Sequence, residues 1–255
     1  MKTINIFKNK LGAGLLMAGL LVSNACTDKF EEVNTDPYNI SDEQTYADFN
    51  NVGGWMAPAL QNIYTYDPAW VTQLQQNLIG DIYSGYMMTA TPFASNVNNM
   101  TYSFVDGWNG FPWSRAYQFV MTPLATLEKE AAKTGADHFI AWSKIVRVEA
   151  MHRVSDIYGP IIYSEFGNDA AQYDSQEEVY TAFFKELGEA IEVLTPYAQN
   201  QAGDVTPFTP FDLVYGGSYV NWVKFANTLR LRLALRVKYV DAGKSQTEAE
   251  KAVAD

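Results

Sequence analysis

The chain has 255 residues, 47% of them hydrophobic and 14% aromatic, with one cysteine, two histidines and a formal net charge of −11. That acidic balance argues against nucleic acid as a partner, since phosphate backbones are held by clustered Lys and Arg. It also removes electrostatic attraction to anionic lipid, and a single cysteine cannot close an intrachain disulfide.

The first element in chain order is an export signal. Lys2, Lys8 and Lys10 precede an uncharged apolar run from Leu11 to Val22, and small residues follow, which is the order of a secretory signal over residues 1–25. At about a dozen residues the run is too short to span a bilayer as a helix. Cys26 follows Ser23-Asn24-Ala25 in a pattern that resembles a bacterial lipobox, with Ser23 where Leu is usual. Lipidation of Cys26 is therefore expected, and with about 0.8 kcal/mol per buried methylene, two or three acyl chains anchor a protein stably. Removing residues 1–25 deletes three lysines and no acid, which moves the net charge from −11 to −14.

Residues 26–41 are acidic, polar and aperiodic, as a tether would be. From residue 42 the pattern turns helical. Segments 42–65 and 69–90 are expected to form a first pair, broken by Tyr66-Asp67-Pro68, and 91–111 is expected to be loop. The next helix carries a seam of Trp113, Tyr117, Val120, Leu124 and Leu127, whose spacing describes one buried face. Pro123 removes a backbone donor, so a kink or restart is expected near Thr122. Gly135 ends that helix, and a partner runs from Asp137 to Tyr158. Ser175 and Glu178 make a capping box for another helix, with Val179, Phe183, Leu187, Ile191 and Leu194 inward. Gly216-Gly217 predicts a turn ahead of a long helix over 219–240. It has Trp222, Phe225, Leu229 and Leu233 inside, and Lys224, Arg230, Arg232 and Arg236 spread around the rest.

No strand-period run appears, so the class is all-α, in tetratricopeptide-like helix pairs with long inserted loops. Ser245-x-x-Glu248 reads as a further helix opening, with no C-cap before Asp255. Residues 42–255 are thus expected to be a helical-repeat domain incomplete at its C-terminus, part of a longer protein.

Few residues suggest reactive chemistry. His152 and Asp156 share a helix face, a spacing two metal ligands could use, but His138 is the only other histidine and a third ligand is missing. No metal and no cofactor are expected, and Asp156 is read as pairing with Arg153 at i, i+3. The acid pairs Glu31-Glu32, Glu128/Glu130 and Glu177-Glu178 fit solvation, a tether or a helix start better than glycoside hydrolysis. Catalysis is not expected.

Residues 152–194, HRVSDIYGPIIYSEFGNDAAQYDSQEEVYTAFFKELGEAIEVL, carry a family resemblance. Asp156, Tyr158, Gly159 and Tyr163, then Tyr173-Asp174, then Leu187, Ala190, Ile191 and Leu194, match the hallmark of the SusD/RagB outer-membrane nutrient-binding lipoproteins of Bacteroidetes. WVKFANTLRLRLALRV at 222–237 is similarly typical, as are Phe30, Glu31, Asn34 and Pro37 after the lipidated Cys. The resemblance implies a scaffold of tetratricopeptide-like pairs and a SusC-like TonB-dependent transporter as partner. It also implies capture of oligosaccharide at the outer membrane, and the RagB branch implies peptide as an alternative ligand. A periplasmic protein-binding scaffold is the reading from another class.

A glycan site needs flat aromatics for the apolar faces of sugar rings and amides or carboxylates for the hydroxyls. The loop 91–111 offers Asn96, Asn98, Asn99, Tyr102, Asp106, Trp108 and Asn109, and similar loops contribute to glycan binding in some SusD-like proteins. Trp108, Asn109, Tyr102 and Asp106 are the candidate ligand residues, with packing or transporter contact the other readings of Trp108. Trp113, five residues on, opens the seam and is read as scaffold.

Overall fold

The computed structural model describes Lys29, Asn34, Gln44, residues 46–63 and residues 68–254. The signal segment and Cys26 lie outside the described residues, as does the tether apart from Lys29 and Asn34. No described helix is long and apolar enough to cross a membrane.

The unit from Tyr46 onward is helical, and its main helices are α1 (Met56–Ile63), α2 (Phe111–Ala116), α3 (Thr122–Thr134), α4 (Asp137–Tyr158), α5 (Gln176–Gln199), α6 (Tyr219–Val237) and α7 (Ala242–Ala254). Consecutive helices pack against one another from α3 to α7, so the array is built from neighbouring pairs, as tetratricopeptide-like folds are. The one β-type pairing among described residues is an isolated antiparallel bridge between Ile161 and Asp174.

α4 is the centre. Phe139, Trp142, Ile145, Val148 and Met151 are wholly or almost wholly buried, and burial runs around most of the helix, as expected of one packed on several sides. The seams on α3 and α5 lie inward as spaced, with Val120, Leu124, Leu127, Val179, Phe183, Leu187 and Leu194 buried. Pro123 is accommodated by a π-helical turn at Tyr117–Met121, after which α3 starts with the proline in its first turn. Thr122 Oγ1 donates to the Tyr117 carbonyl at 3.0 Å, beside the bond that the Thr122 N–H makes to the same oxygen. The Ser175–Glu178 capping box forms as read.

Other readings change. The segment 42–65 is broken into Ala47–Phe49, Asn50–Gly53 and α1. A Cβ on Gly53 would lie 2.1 Å from the Phe211 ring, so that glycine is an opening into which a distant aromatic docks. Arg230 is not on a solvated face. It is buried and paired with Glu248 of α7 at 2.6 Å. Ser245 and Glu248 accordingly lie inside α7. Asp241 caps its start, its carboxylate accepting from the Lys244 N–H at 2.8 Å.

The loop between α5 and α6 is built around one carboxylate. Asp212, buried, accepts from the N–H groups of Val214 at 2.9 Å, Tyr215 at 3.1 Å and Gly217 at 2.8 Å, and from Trp222 Nε1 at 2.8 Å. Gly216 and Gly217 both have positive φ, which makes the predicted turn possible. The loop returns Phe208 to the core, where it stacks on Trp142 at 4.2 Å.

His138, in the first turn of α4, is buried among rings. Phe49 lies 5.4 Å away, Tyr197 5.1 Å and Phe208 5.7 Å. Burial pushes its imidazole down to about 4, with Asp137 opposing. The unfolded chain takes up this proton near pH ~6.5, so between there and the lowered folded value the unfolded state binds more protons. The stability this group contributes is full above about pH 6.5 and is lost as the pH falls through that window. The melting temperature is therefore expected to be lower at about pH 5 than at about pH 7, with His138→Phe removing part of the difference. An unchanged difference in the variant would assign the effect elsewhere.

Candidate functional site

The segment 69–110 stands apart from the paired helices. Its expected single helix over 69–90 is absent. Ala69–Thr72 passes into a π-turn at Gln73–Asn77, the backbone breaks at Ile79, and Gly80–Tyr83 follows as one short turn. Gly85, at φ +75°, then reverses the chain. Asp81 accepts from the Asn77 amide at 2.9 Å and from the Gln76 amide at 3.4 Å, drawing the chain into this tight form.

Residues 91–111 are more ordered than a plain loop. They contain short turns at Ala94–Asn96, Asn99–Thr101 and Asp106–Asn109, with Ala94, Ser95, Asn96 and Tyr102 at positive φ. Non-glycine residues in that region cost of order 1–3 kcal/mol each, so the surrounding bonds must hold them there. Two buried asparagines do so. The Asn98 side chain accepts from the Met100 N–H at 2.9 Å and donates to the Phe93 carbonyl at 2.7 Å. Asn99 donates to the Leu78 carbonyl at 2.6 Å and to Asn109 Oδ1 at 3.0 Å. Asn109 Nδ2 returns a bond to Asn99 Oδ1 at 3.3 Å, so the pair closes the loop amide to amide. Asn98 and Asn99 are framework, and the Asn109 amide is partly committed to them.

Trp108 lies within the helical turn Asp106–Asn109 rather than ahead of any helix. It is half-buried and stacks on Phe93, centroids 5.8 Å apart and planes 24° apart. Tyr83 and Phe104 form a second pair at 6.3 Å. Burial raises the pKa of the Tyr83 hydroxyl, with a hydrogen bond to Asn109 lowering it. Tyr102 is 82% exposed, Phe104 70%, and Asp106 is exposed. Tyr86 and Met88 are also largely exposed. The segment thus presents two aromatic pairs, a free tyrosine and a carboxylate, over a framework of amides. Phe93, Tyr83 and Phe104 were not singled out from sequence; their signal was aromatic residues on backbone that no seam claims.

Trp113 is half-buried, less enclosed than a seam residue should be, against Tyr117 at 4.7 Å, Tyr158 at 5.4 Å and Tyr173 at 6.0 Å. Tyr158 joins this cluster to the loop, accepting from the Trp113 N–H at 3.3 Å and donating to the Asn109 carbonyl.

A family model for "Susd and RagB outer membrane lipoprotein" matches residues 32–255. The chain belongs to the SusD/RagB family. A SusD homologue from Flavobacterium johnsoniae, described as chitin-binding, is 48% identical with a TM-score of 0.74, covering 80% of this chain and 42% of its own. A SusD homologue from Bacteroides vulgatus is 32% identical with a TM-score of 0.71, covering 82% of this chain and 43% of its own. This SusD-like chain therefore spans less than half the length of those structures. Comparison with curated proteins gave no match.

The hallmark residues of the SusD family are consumed internally here. Asp156 pairs with Arg236 at 2.8 Å and accepts from the Tyr180 hydroxyl at 2.6 Å, rather than serving Arg153, whose guanidinium reaches the Ile63 carbonyl at 3.1 Å. Asp174 accepts from the N–H groups of Tyr163 at 2.9 Å and Ser164 at 2.8 Å. Those bonds, with the Ser164 hydroxyl, hold its carboxyl below the usual range against the opposing effect of burial. Tyr163 donates to Glu186 at 2.7 Å, and Arg147 ties Glu186 to Glu128. His152 is fully buried, its Nδ1 3.1 Å from the Val148 carbonyl, with its pKa lowered by burial.

Proposed function

We propose that this chain is the ligand-capturing part of a lipid-anchored protein on the outer-membrane surface, held through Cys26, which binds polysaccharide and passes it to a SusC-like TonB-dependent transporter. The observation that carries the reading is the stacked Phe93–Trp108 pair, with Tyr102 and Phe104 exposed on the same segment, outside the helix pairs. Flat rings near amides match the apolar faces and hydroxyls of sugar rings. The relative described as chitin-binding supports a β-linked N-acetylglucosamine polymer as the first ligand to test. Both histidines are buried and Glu128 and Glu178 are engaged by partners, which supports binding without catalysis.

Calorimetric titration of the full-length protein with chito-oligosaccharides and with a peptide mixture tests this. Saturable binding of the glycan below about 1 mM is expected. Saturation by peptide alone would move the protein to peptide capture. Protection from added protease on intact cells would favour the periplasmic scaffold.

A further inference from the structure

We infer that the face carried by residues 69–110 sorts polysaccharides by charge, taking uncharged and amino-bearing chains and turning away those that carry carboxylate or sulfate. This rests on the glycan-binding reading above. None of the chain's 18 Lys and Arg residues, and neither histidine, lies between Phe30 and Ser114, whereas nine Asp and Glu residues do. An anionic sugar leaving water needs charge-assisted donors in exchange, supplied most often by Arg or Lys. The segment has none of its own.

Two arginines, Arg115 just after the segment and Arg153 of α4, make contacts outside it. The Arg115 guanidinium lies over the Phe119 ring, 4.4 Å from its centroid. That of Arg153 donates to the Ile63 carbonyl under α1. The polar groups of the segment are amides, hydroxyls and carboxylates. Asp106 is exposed two residues before Trp108, and Asp81 anchors the turn that carries Tyr83. Asp106 and Trp108 share one four-residue turn, so a ligand carboxylate held there would be repelled by Asp106, the more so at low salt. A protonated amine in the same position would be attracted, and an acetamide would be indifferent.

The test uses the full-length protein and three oligosaccharides of equal length. They are fully acetylated chito-oligosaccharide, its de-N-acetylated amine form, and hyaluronan, which alternates N-acetylglucosamine with glucuronate. The acetylated chain is expected to bind, the amine form at least as tightly, and hyaluronan at least about tenfold more weakly, with the gap narrowing as salt is raised. Asp106→Lys should narrow it at low salt. Hyaluronan binding as tightly as the neutral chain, or more tightly at low salt, overturns the charge rule and leaves glycan capture standing. Binding of none of the three to folded protein removes glycan capture, and the rule with it.

Discussion

Replacing Asp212 with alanine is expected to lower the unfolding free energy by about 4 kcal/mol. The carboxylate serves four donors, and two of those bonds, from Gly217 N and Trp222 Nε1, are buried. Alanine leaves those two N–H groups unpaired away from water at roughly 1–3 kcal/mol each, and also frees Val214 and Tyr215 from the turn. For a unit of this size the change corresponds to a fall in melting temperature of roughly 8–16 °C. Asparagine keeps the shape and one acceptor oxygen, so Asp212→Asn should lose about half as much. Urea unfolding at neutral pH reads both variants, and a loss below about 1 kcal/mol for alanine would show that water replaces the carboxylate.

Trp108→Ala is expected to weaken chito-oligosaccharide binding at least about tenfold, or about 1.4 kcal/mol, with little change in unfolding. The side chain is half-buried in a four-residue turn, and its ring contact is with Phe93, so truncation gives up about 0.5–1.5 kcal/mol of aromatic pairing. Trp113→Ala should do the reverse. That ring supports Tyr117, Tyr158 and Tyr173 together, so its loss falls on the melting temperature before it falls on affinity. Equal losses of stability and affinity in Trp108→Ala would make it a packing residue.

The helices from α3 to α6 were legible because their signals are local. A seam at helical spacing, a capping box and a glycine pair each act within a turn or two of themselves. Segments 42–65 and 69–90 lack such a seam, and their form depends on distant partners: Phe211 entering at Gly53, and Asn99 reaching the Leu78 carbonyl. Arg230 was not among the residues read as inward because its partner Glu248 sits on the following helix, where no spacing rule reaches. The same limit divides the site. That Trp108 lies off any seam could be read from spacing, but not that Phe93 meets it from fifteen residues away, nor that Asn98 and Asn99 act as substitutes for backbone.

The Tyr158 hydroxyl bears on how such a protein could change its diet. It ties the scaffold to the Asn109 carbonyl and the Trp113 N–H, while the Asn99–Asn109 amide pair closes the loop above it. Those residues, with Asn98, form a fixed socket, and the stretch from Gly85 to Val97 is carried on it. Mutation could rewrite that stretch for a new sugar without refolding the helices beneath. An engineer could graft a loop from another relative there, keeping Asn98, Asn99, Asn109 and Tyr158 as the seam of the graft.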